Sequence, residues 1–324
     1  MVAELEKNKN KMPLLATTPG VLVACLVSCF LWGSAFPCIK IGYELFGIAA
    51  DDVASTIAFA GARFLISGAL VIAAMSMVRR RAFVPARQDW KAVGTLSLFQ
   101  TIGQYLLFYV GLAHAAGVTS SIIEASNVFL CVLLAALLFR SERLTTRKLM
   151  GCAVGFAGVV LVNLSGGASG GLSFSLAGEG LVFASTFAAA MSSCLIQRFS
   201  AEHDPVLLSG WQFFVGGAVL LVVGLALGGR VVPADPTAPW PAVGLLVYMG
   251  FISAAAYSLW SLALAVNPVS RVAVFGFMNP VFGVVLSAAL LGEGSVLNPV
   301  VTVVALALVT CGIVAVNRPA HAAA

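Results

Sequence analysis

Four side chains in one apolar stretch carry much of the chemistry this chain offers. Ser120, Glu124, Asn127 and Cys131 follow i, i+4, i+7, i+11 spacing, so on a helix they share one face. A carboxylate and a carboxamide on a helix apolar enough to cross a membrane cannot look into lipid. That face must look into protein or water. Glu124 could bind a substrate ammonium, take a proton, or stand in a static ion pair with Lys40 or Arg63. Asn127 offers two donors and an acceptor, which suits the carboxylate and ammonium of a zwitterion. It could equally join two helices by a hydrogen bond. A second version of the stretch appears in the other half of the chain, over Arg271–Glu293. It is again an apolar run with one asparagine, Asn279, and again ends in a glutamate.

Other groups sit deep in apolar runs. Arg63 does, and its repeat counterpart Gln212 is neutral; Lys40, near a run's end, could snorkel to the interface. Gln104, Tyr105, Phe108 and Tyr109 cluster in one run, Tyr257 and Trp260 in another; Trp32, Trp211 and Phe275 are also mid-run. Mid-membrane Tyr and Trp need polar partners or a wet cavity, so these residues read as a wall for aromatic or large apolar side chains, or as ordinary packing. Pro37 and Pro280 free the carbonyls of Gly33 and Gly276, which makes these four candidate hinge positions. The seven cysteines form no C-x-x-C pair, and no metal or other cofactor is expected.

The elements that position these groups follow from composition. A chain of 324 residues that is 60% hydrophobic and 10% charged reads as a polytopic membrane protein, with the lipid bilayer as its solvent. The apolar runs predict ten helices over 21–43, 53–78, 91–113, 118–139, 147–164, 179–199, 206–228, 241–264, 270–291 and 298–317. Of the 18 Lys and Arg, Lys40 and Arg63 lie within spans and Arg230 falls alone on one side; the remaining 15 share the side of the N-terminus. This asymmetry places both termini in the cytoplasm of a bacterial-type inner membrane. The net charge of +5 therefore reports topology, and no nucleic-acid partner is expected. Oligomeric state is open, and a monomer is compatible with everything above.

The halves repeat. Gly61-Ala62-Arg63-Phe64 matches Gly210-Trp211-Gln212-Phe213, Trp90-Lys91-Ala92-Val93-Gly94 matches Trp240-Pro241-Ala242-Val243-Gly244, and Gly158-Val159-Val160 matches Gly312-Ile313-Val314. With an odd number of spans in each half, the copies must be inverted. The division is 1–165 and 166–324, with a Gly/Ser-rich linker over Ser165–Ala177. The fold class is thus an all-α polytopic membrane protein, ten transmembrane helices in two inverted five-helix repeats around a central cavity. At ~1.5 Å per residue, Asn127 and Asn279 both reach near the midplane from opposite faces.

Leu31-Trp32-Gly33-Ser34-Ala35-Phe36-Pro37 leading to Lys40, Arg63-Phe64, Ser141-Glu142-Arg143-Leu144 before Gly151, and Asn279-Pro280-Val281-Phe282 through Gly292-Glu293 occur in an order that resembles the EamA family of the drug/metabolite transporter superfamily. The resemblance implies an exporter of small metabolites. It is also similar to the aromatic amino acid exporter branch. One departure is Val128, where the family often has proline, which puts a kink in the fourth span in question. No G-x-x-x-x-G-K-[ST] loop, histidine cluster or G-x-S-x-G is present, so the expectation is a transporter driven by a gradient and not an enzyme. Exporters of nucleosides, cationic compounds or other drugs, and a passive channel-like facilitator, remain alternatives.

Overall fold

The computed structural model describes residues 12–49, 51–115, 117–165, 175–291 and 299–317, whose regular elements are helices joined by loops, with no strand among them. Glu293, most of the midpoint linker and the lysines at 7, 9 and 11 lie outside these residues. After one turn at Pro13–Ala16 come α1 (Thr18–Phe46) and α2 (Val53–Arg79). Helix α3 covers 90–112 and contains a π-helical turn, Ser97–Gly103. Helix α4 covers 117–138, as Gly117–Ala125, Asn127–Leu133 and a π turn Leu134–Leu138. Then follow α5 (Thr146–Ser165), α6 (Leu176–Phe199), α7 (Pro205–Ala226) and α8 (Trp240–Val266). Helix α9 covers 269–291 and holds a 3-10 turn, Val274–Phe277; α10 is Pro299–Asn317. Each predicted span overlaps one of these helices. Among the described residues, α1, α2, α6, α7, α8 and Val300–Asn317 of α10 are long and apolar enough to cross a membrane.

The helix starts have local causes. Asp204 Oδ1 accepts from the Val206 and Leu207 amides, and Pro205 occupies the first turn of α7. Asp52 Oδ1 accepts from the Ser55 amide at 2.9 Å and caps α2. Bonds from the Ser55 side chain and backbone hold the Asp52 carboxyl below the usual carboxylate range. Asp52→Ala is therefore expected to destabilise by about 1 kcal/mol at neutral pH. A depressed pKa contributes stability above the unfolded-state pKa, and that contribution is lost as pH falls through the folded value. Thermal unfolding of wild type and variant should accordingly converge below roughly pH 3.

Two irregular turns lie where the sequence put polar groups. Helix α4 is interrupted at Ser126, whose hydroxyl donates to the Ile123 carbonyl at 2.5 Å, and Asn127 follows directly. The missing proline at Val128 thus does not leave α4 straight. In α9 the 3-10 turn contains Gly276, and Asn279-Pro280 follows it. Pro37 is different, because α1 runs through it as continuous helix.

Helices α2 and α7 run antiparallel in the most extensive helix contact among the described residues. A Cβ on Gly61 would lie within 2.2–2.8 Å of the Leu220–Leu221 backbone; on Gly210 it would meet Val71 and Ile72. A Cβ on Gly217 would meet Phe64, Leu65 and the Gly61 carbonyl; on Gly68 it would meet Phe214 and the Gly210 carbonyl. These contacts come in reciprocal pairs. Gly61 matches Gly210, Gly68 matches Gly217, and Leu220 matches Val71 in the sequence repeat. The same reciprocity holds for α5 with α10, where Gly151 faces Gly312 and Gly158 faces Ala305 and Val309. A residue i that meets j whenever the mate of j meets the mate of i is the mark of a two-fold relation.

Helix α1 packs between α8 and α9. Ser28 Oγ donates to the Ala256 carbonyl at 3.1 Å, and Cys29 Sγ lies 3.2 Å from the Phe275 carbonyl. Gly33 is too close to Phe282 for any side chain: a Cβ would sit 2.4 Å from Phe282 Cβ. Gly33 serves close packing of parallel α1 and α9.

Candidate functional site

At the meeting of the two halves stand four rings. Phe64 of α2 stacks on Phe213 of α7, 5.1 Å between centroids and 8° between planes. Tyr105 of α3 packs on Phe64 at 4.4 Å, and Tyr257 of α8 packs on Phe213 at 4.7 Å. The two tyrosine hydroxyls hydrogen-bond to each other at 3.0 Å and close the quartet. Phe64 and Phe213 are repeat mates, so their mutual stack marks where the two-fold passes. The π turn Ser97–Gly103 precedes Tyr105 directly. A π turn adds a residue to the turn and so rotates everything after it about the helix axis.

The aromatic surface extends from this quartet in both directions. Trp32 packs edge-on to Tyr257 at 4.7 Å and to Trp260 at 5.0 Å. Tyr109 is 6.0 Å from Tyr105, and Phe108 is 5.5 Å from Tyr109. Six sequence-predicted wall residues are thereby joined in one network: Trp32, Tyr105, Phe108, Tyr109, Tyr257 and Trp260. Gln104 is half-buried on the turn before Tyr105 and Phe108. Phe275 is buried in the core beside α1 through its carbonyl contact with Cys29.

Trp211 is placed elsewhere. Its indole Nε1 donates to the Phe83 carbonyl at 2.8 Å, and its ring packs on Trp90 and Phe214. It anchors the 80–89 loop near the start of α7. Its ring contacts are with Trp90 and Phe214, and none is with a ring of the quartet. Gln212 is fully buried; its Oε1 accepts from Thr101 Oγ1 at 2.6 Å in the π turn of α3, and its Nε2 has no partner.

The polar groups of the interior divide into satisfied and unsatisfied sets. Asn127 is satisfied: Nδ2 donates to the Thr186 carbonyl of α6 at 3.2 Å, and Oδ1 accepts from Cys131 Sγ at 3.4 Å. It therefore joins α4 to α6, and no Asn127–Asn279 bond occurs. Asn279 Oδ1 is buried without a partner. So is Trp32 Nε1. Asn279 lies one turn beyond Phe275 on α9, and Trp32 lies one turn beyond Cys29 on α1. Because Cys29 contacts Phe275, the orphan acceptor and the orphan donor are at the same level. Ser253 Oγ, one turn before Tyr257, and Ser120 Oγ, one turn before Glu124, are unpartnered as well. Buried polar groups left without partners are costly in a low-dielectric interior, and each calls for a partner such as an ordered water or a ligand.

Glu124 and Arg63 both lie within electrostatic reach of the tyrosines. Both act electrostatically on Tyr105, Tyr109 and Tyr257. Neither pairs with the other. The ion pairs among the described residues include Arg79–Asp204, Lys148–Glu142 and His203–Asp89, and none joins Glu124 to Arg63. Lys40 is exposed near the end of α1. Glu124 is half-buried and reaches the interior from α4.

Sequence reasoning missed a second polar assembly, at the basic end of the helices. Glu142, in the loop after α4, accepts from Lys148 Nζ at 2.6 Å, from the Ser270 amide at 2.9 Å and from the Ser270 hydroxyl. Asn267 is fully buried; its Nδ2 donates to the Leu15 and Ala263 carbonyls, and its Oδ1 accepts from Arg271. Its own carbonyl accepts from Gln197 Nε2 at 2.8 Å. These bonds tie the N-terminal turn, α6, α8 and α9 together, with the α4–α5 loop held to α9 by Glu142. The signal available was faint. Gln197, Asn267 and Glu142 stand at helix ends on one side, where polar residues are ordinary.

Residues 18–164 and, separately, 176–318 match the family described as the EamA-like transporter family. An uncharacterized transporter of Archaeoglobus fulgidus is 27% identical, covering 89% of this chain and 95% of its own. A protein of Streptantibioticus cattleyicolor named a probable terminal-alkyne amino-acid exporter is 26% identical, covering 91% of this chain and 92% of its own. A solved crystal structure with 20% identity superposes with a TM-score of 0.73 over 93% of this chain and 97% of that one, which is a likeness of fold.

Proposed function

The chain belongs to the EamA-like transporter family, and on that premise we propose that it exports aromatic or other apolar amino acids by alternating access through a central cavity. It is a membrane transporter and not an enzyme. In this reading all ten helices cross the bilayer, the 1–165 and 166–324 halves are inverted copies, and the basic end faces the cytoplasm. The reciprocal glycine contacts of α2 with α7 and of α5 with α10 support the inversion.

One observation carries the substrate class. The rings of Trp32, Tyr257 and Trp260 form an aromatic wall in which Trp32 Nε1, and Asn279 Oδ1 at its level, lack partners. Rings offer an amphipathic ligand apolar surface, while the orphaned groups offer it a donor and an acceptor. That a relative carries the name of an amino-acid exporter supports the same class. Counterflow in proteoliposomes tests it. Labelled phenylalanine should enter saturably and faster against an unlabelled phenylalanine load. Linear uptake without trans-stimulation would instead indicate a passive facilitator, and nucleoside counterflow alone would remove the amino acid.

Glu124 stands half-buried with no cation in ion-pair range among the described residues, so it is available to a substrate ammonium or a proton. Glu124→Gln is expected to lower flux at least tenfold while leaving folded protein intact, since a lost hydrogen bond to a charge is worth about 1.5–3 kcal/mol. Size-exclusion elution and initial counterflow rates read the two quantities separately. Unchanged flux would take Glu124 out of the mechanism.

A further inference from the structure

Arg63 is buried, 6% exposed, at a depth of about 15 Å along α2. A guanidinium does not shed its charge in a protein. Burial without a counter-ion is strongly unfavourable, and the same holds within a membrane. Yet no carboxylate lies in ion-pair range of Arg63 among the described residues. Its Nε has no hydrogen-bond partner. The Phe64 ring lies under the guanidinium, 4.6 Å from Cζ to centroid, and compensates only part of the lost solvation. The neighbours that feel its field include a thiol, Cys38, and the phenols Tyr43, Tyr105, Tyr109 and Tyr257. No anion among them balances the charge.

The repeat shows that the fold does not require this charge. The mate of Arg63 is Gln212, equally buried, neutral and bonded to Thr101. Since Phe64 and Phe213 stack on the two-fold, Arg63 and Gln212 stand on either side of the same aromatic quartet. One side is cationic and the other is not. A scaffold role would be met by glutamine on both sides.

We infer that Arg63 is the carboxylate-binding residue of the transported substrate, so that the substrate is an amphipathic carboxylate such as an α-amino acid, and amines without a carboxylate are excluded. This rests on the transport reading above and deepens it. A carboxylate fits the guanidinium fork with two parallel N–H···O bonds, which a phenol or a thiol cannot match. Glu124, which acts on the same three tyrosines, supplies the opposite pole for an ammonium. The rings between them take the apolar side chain.

The test uses purified full-length protein in nanodiscs, with thermal unfolding titrated by phenylalanine, leucine, 3-phenylpropionate and phenethylamine, and counterflow measured in parallel. The first three should stabilise the wild type and phenethylamine should not. Arg63→Gln copies the repeat mate and should fold, yet bind phenylalanine on the order of 10- to 100-fold more weakly. Arg63→Lys, a point charge without the fork, should fall between them. Equal binding of phenethylamine and phenylalanine by the wild type overturns the inference. So does unchanged phenylalanine affinity in Arg63→Gln, or the absence of stabilisation by every carboxylate. Carboxylate binding through Arg63 without counterflow leaves the inference standing and removes the transport reading. Phenylalanine counterflow unaltered by Arg63→Gln does the reverse.

Discussion

Gly217→Ala is expected to abolish recovery of folded protein, and Gly68→Ala to do the same. A methyl group on Gly217 would stand 2.3 Å from the Leu65 amide nitrogen and 2.7 Å from the Phe64 carbonyl carbon. On Gly68 it would stand 2.4 Å from the Phe214 nitrogen and 2.6 Å from the Gly210 carbonyl oxygen. All four are backbone atoms, so no side chain can swing away, and α2 and α7 must move apart along their length. In a bilayer the association of helices depends on such close approach, because lipid is as apolar as the side chains it replaces. Overpacking of this kind costs about 1–3 kcal/mol where the surroundings yield, and more where they do not. Separation of α2 and α7 also breaks the Phe64–Phe213 stack at the centre of the site. Gly244→Ala is the control: nothing lies within 4 Å of a Cβ there. That variant should fold at least as well as wild type, since alanine favours helix over glycine by roughly 1 kcal/mol. Detergent-solubilised yield and thermal unfolding of the three variants decide the matter. Folded Gly217→Ala with an unchanged midpoint would mean that the α2–α7 approach is looser than the geometry gives.

Much of this arrangement was legible in the sequence, for identifiable reasons. The helices were legible because runs of apolar residues have few alternatives. The repeat was legible because Gly61, Phe64 and Ser67 recur as Gly210, Phe213 and Gly216 at one fixed spacing, with small and aromatic types held. Glu124 and Arg63 stood out because charge within an apolar run needs a reason. Partners were not legible. Asn127 and Asn279 have the same residue type and similar depth, yet one is satisfied by the Thr186 carbonyl and the other keeps an orphan oxygen. The difference lies in which backbone passes alongside. The orientation of Trp211 was not legible either, because depth along a helix does not say which way the ring points, and its indole turns toward the Phe83 carbonyl. The break at Ser126 has no proline to announce it, and the π turn before Tyr105 has no residue signature at all.

Glu142→Gln is expected to loosen the basic end of the protein while the opposite end is unaffected. Glu142 is nearly buried, its side chain 7% exposed, and holds Lys148 Nζ at 2.6 Å and the Ser270 amide at 2.9 Å together with the Ser270 hydroxyl. It therefore fastens the loop of one half to the first turn of α9 in the other. Glutamine keeps the size but loses the charge, and hydrogen bonds to a charged group are worth about 1.5–3 kcal/mol. An alternating-access carrier must open this end to receive substrate. Glu142 and the Asn267 assembly beside it tie helices of both halves together at this end, so on the proposed export reading they oppose its opening. A loss of about 2 kcal/mol from the closed state multiplies the open population roughly thirtyfold, because each 1.4 kcal/mol is a factor of ten. Amide hydrogen exchange reads this directly. Residues 267–273 should exchange at least tenfold faster in the variant, and residues 229–240 at the other end should be unchanged. Asn267→Ala should act in the same direction and more strongly, since it removes three side-chain bonds at once. Uniform acceleration across the chain would show general destabilisation instead of opening, and unchanged exchange at 267–273 would mean that Glu142 does not hold the end closed.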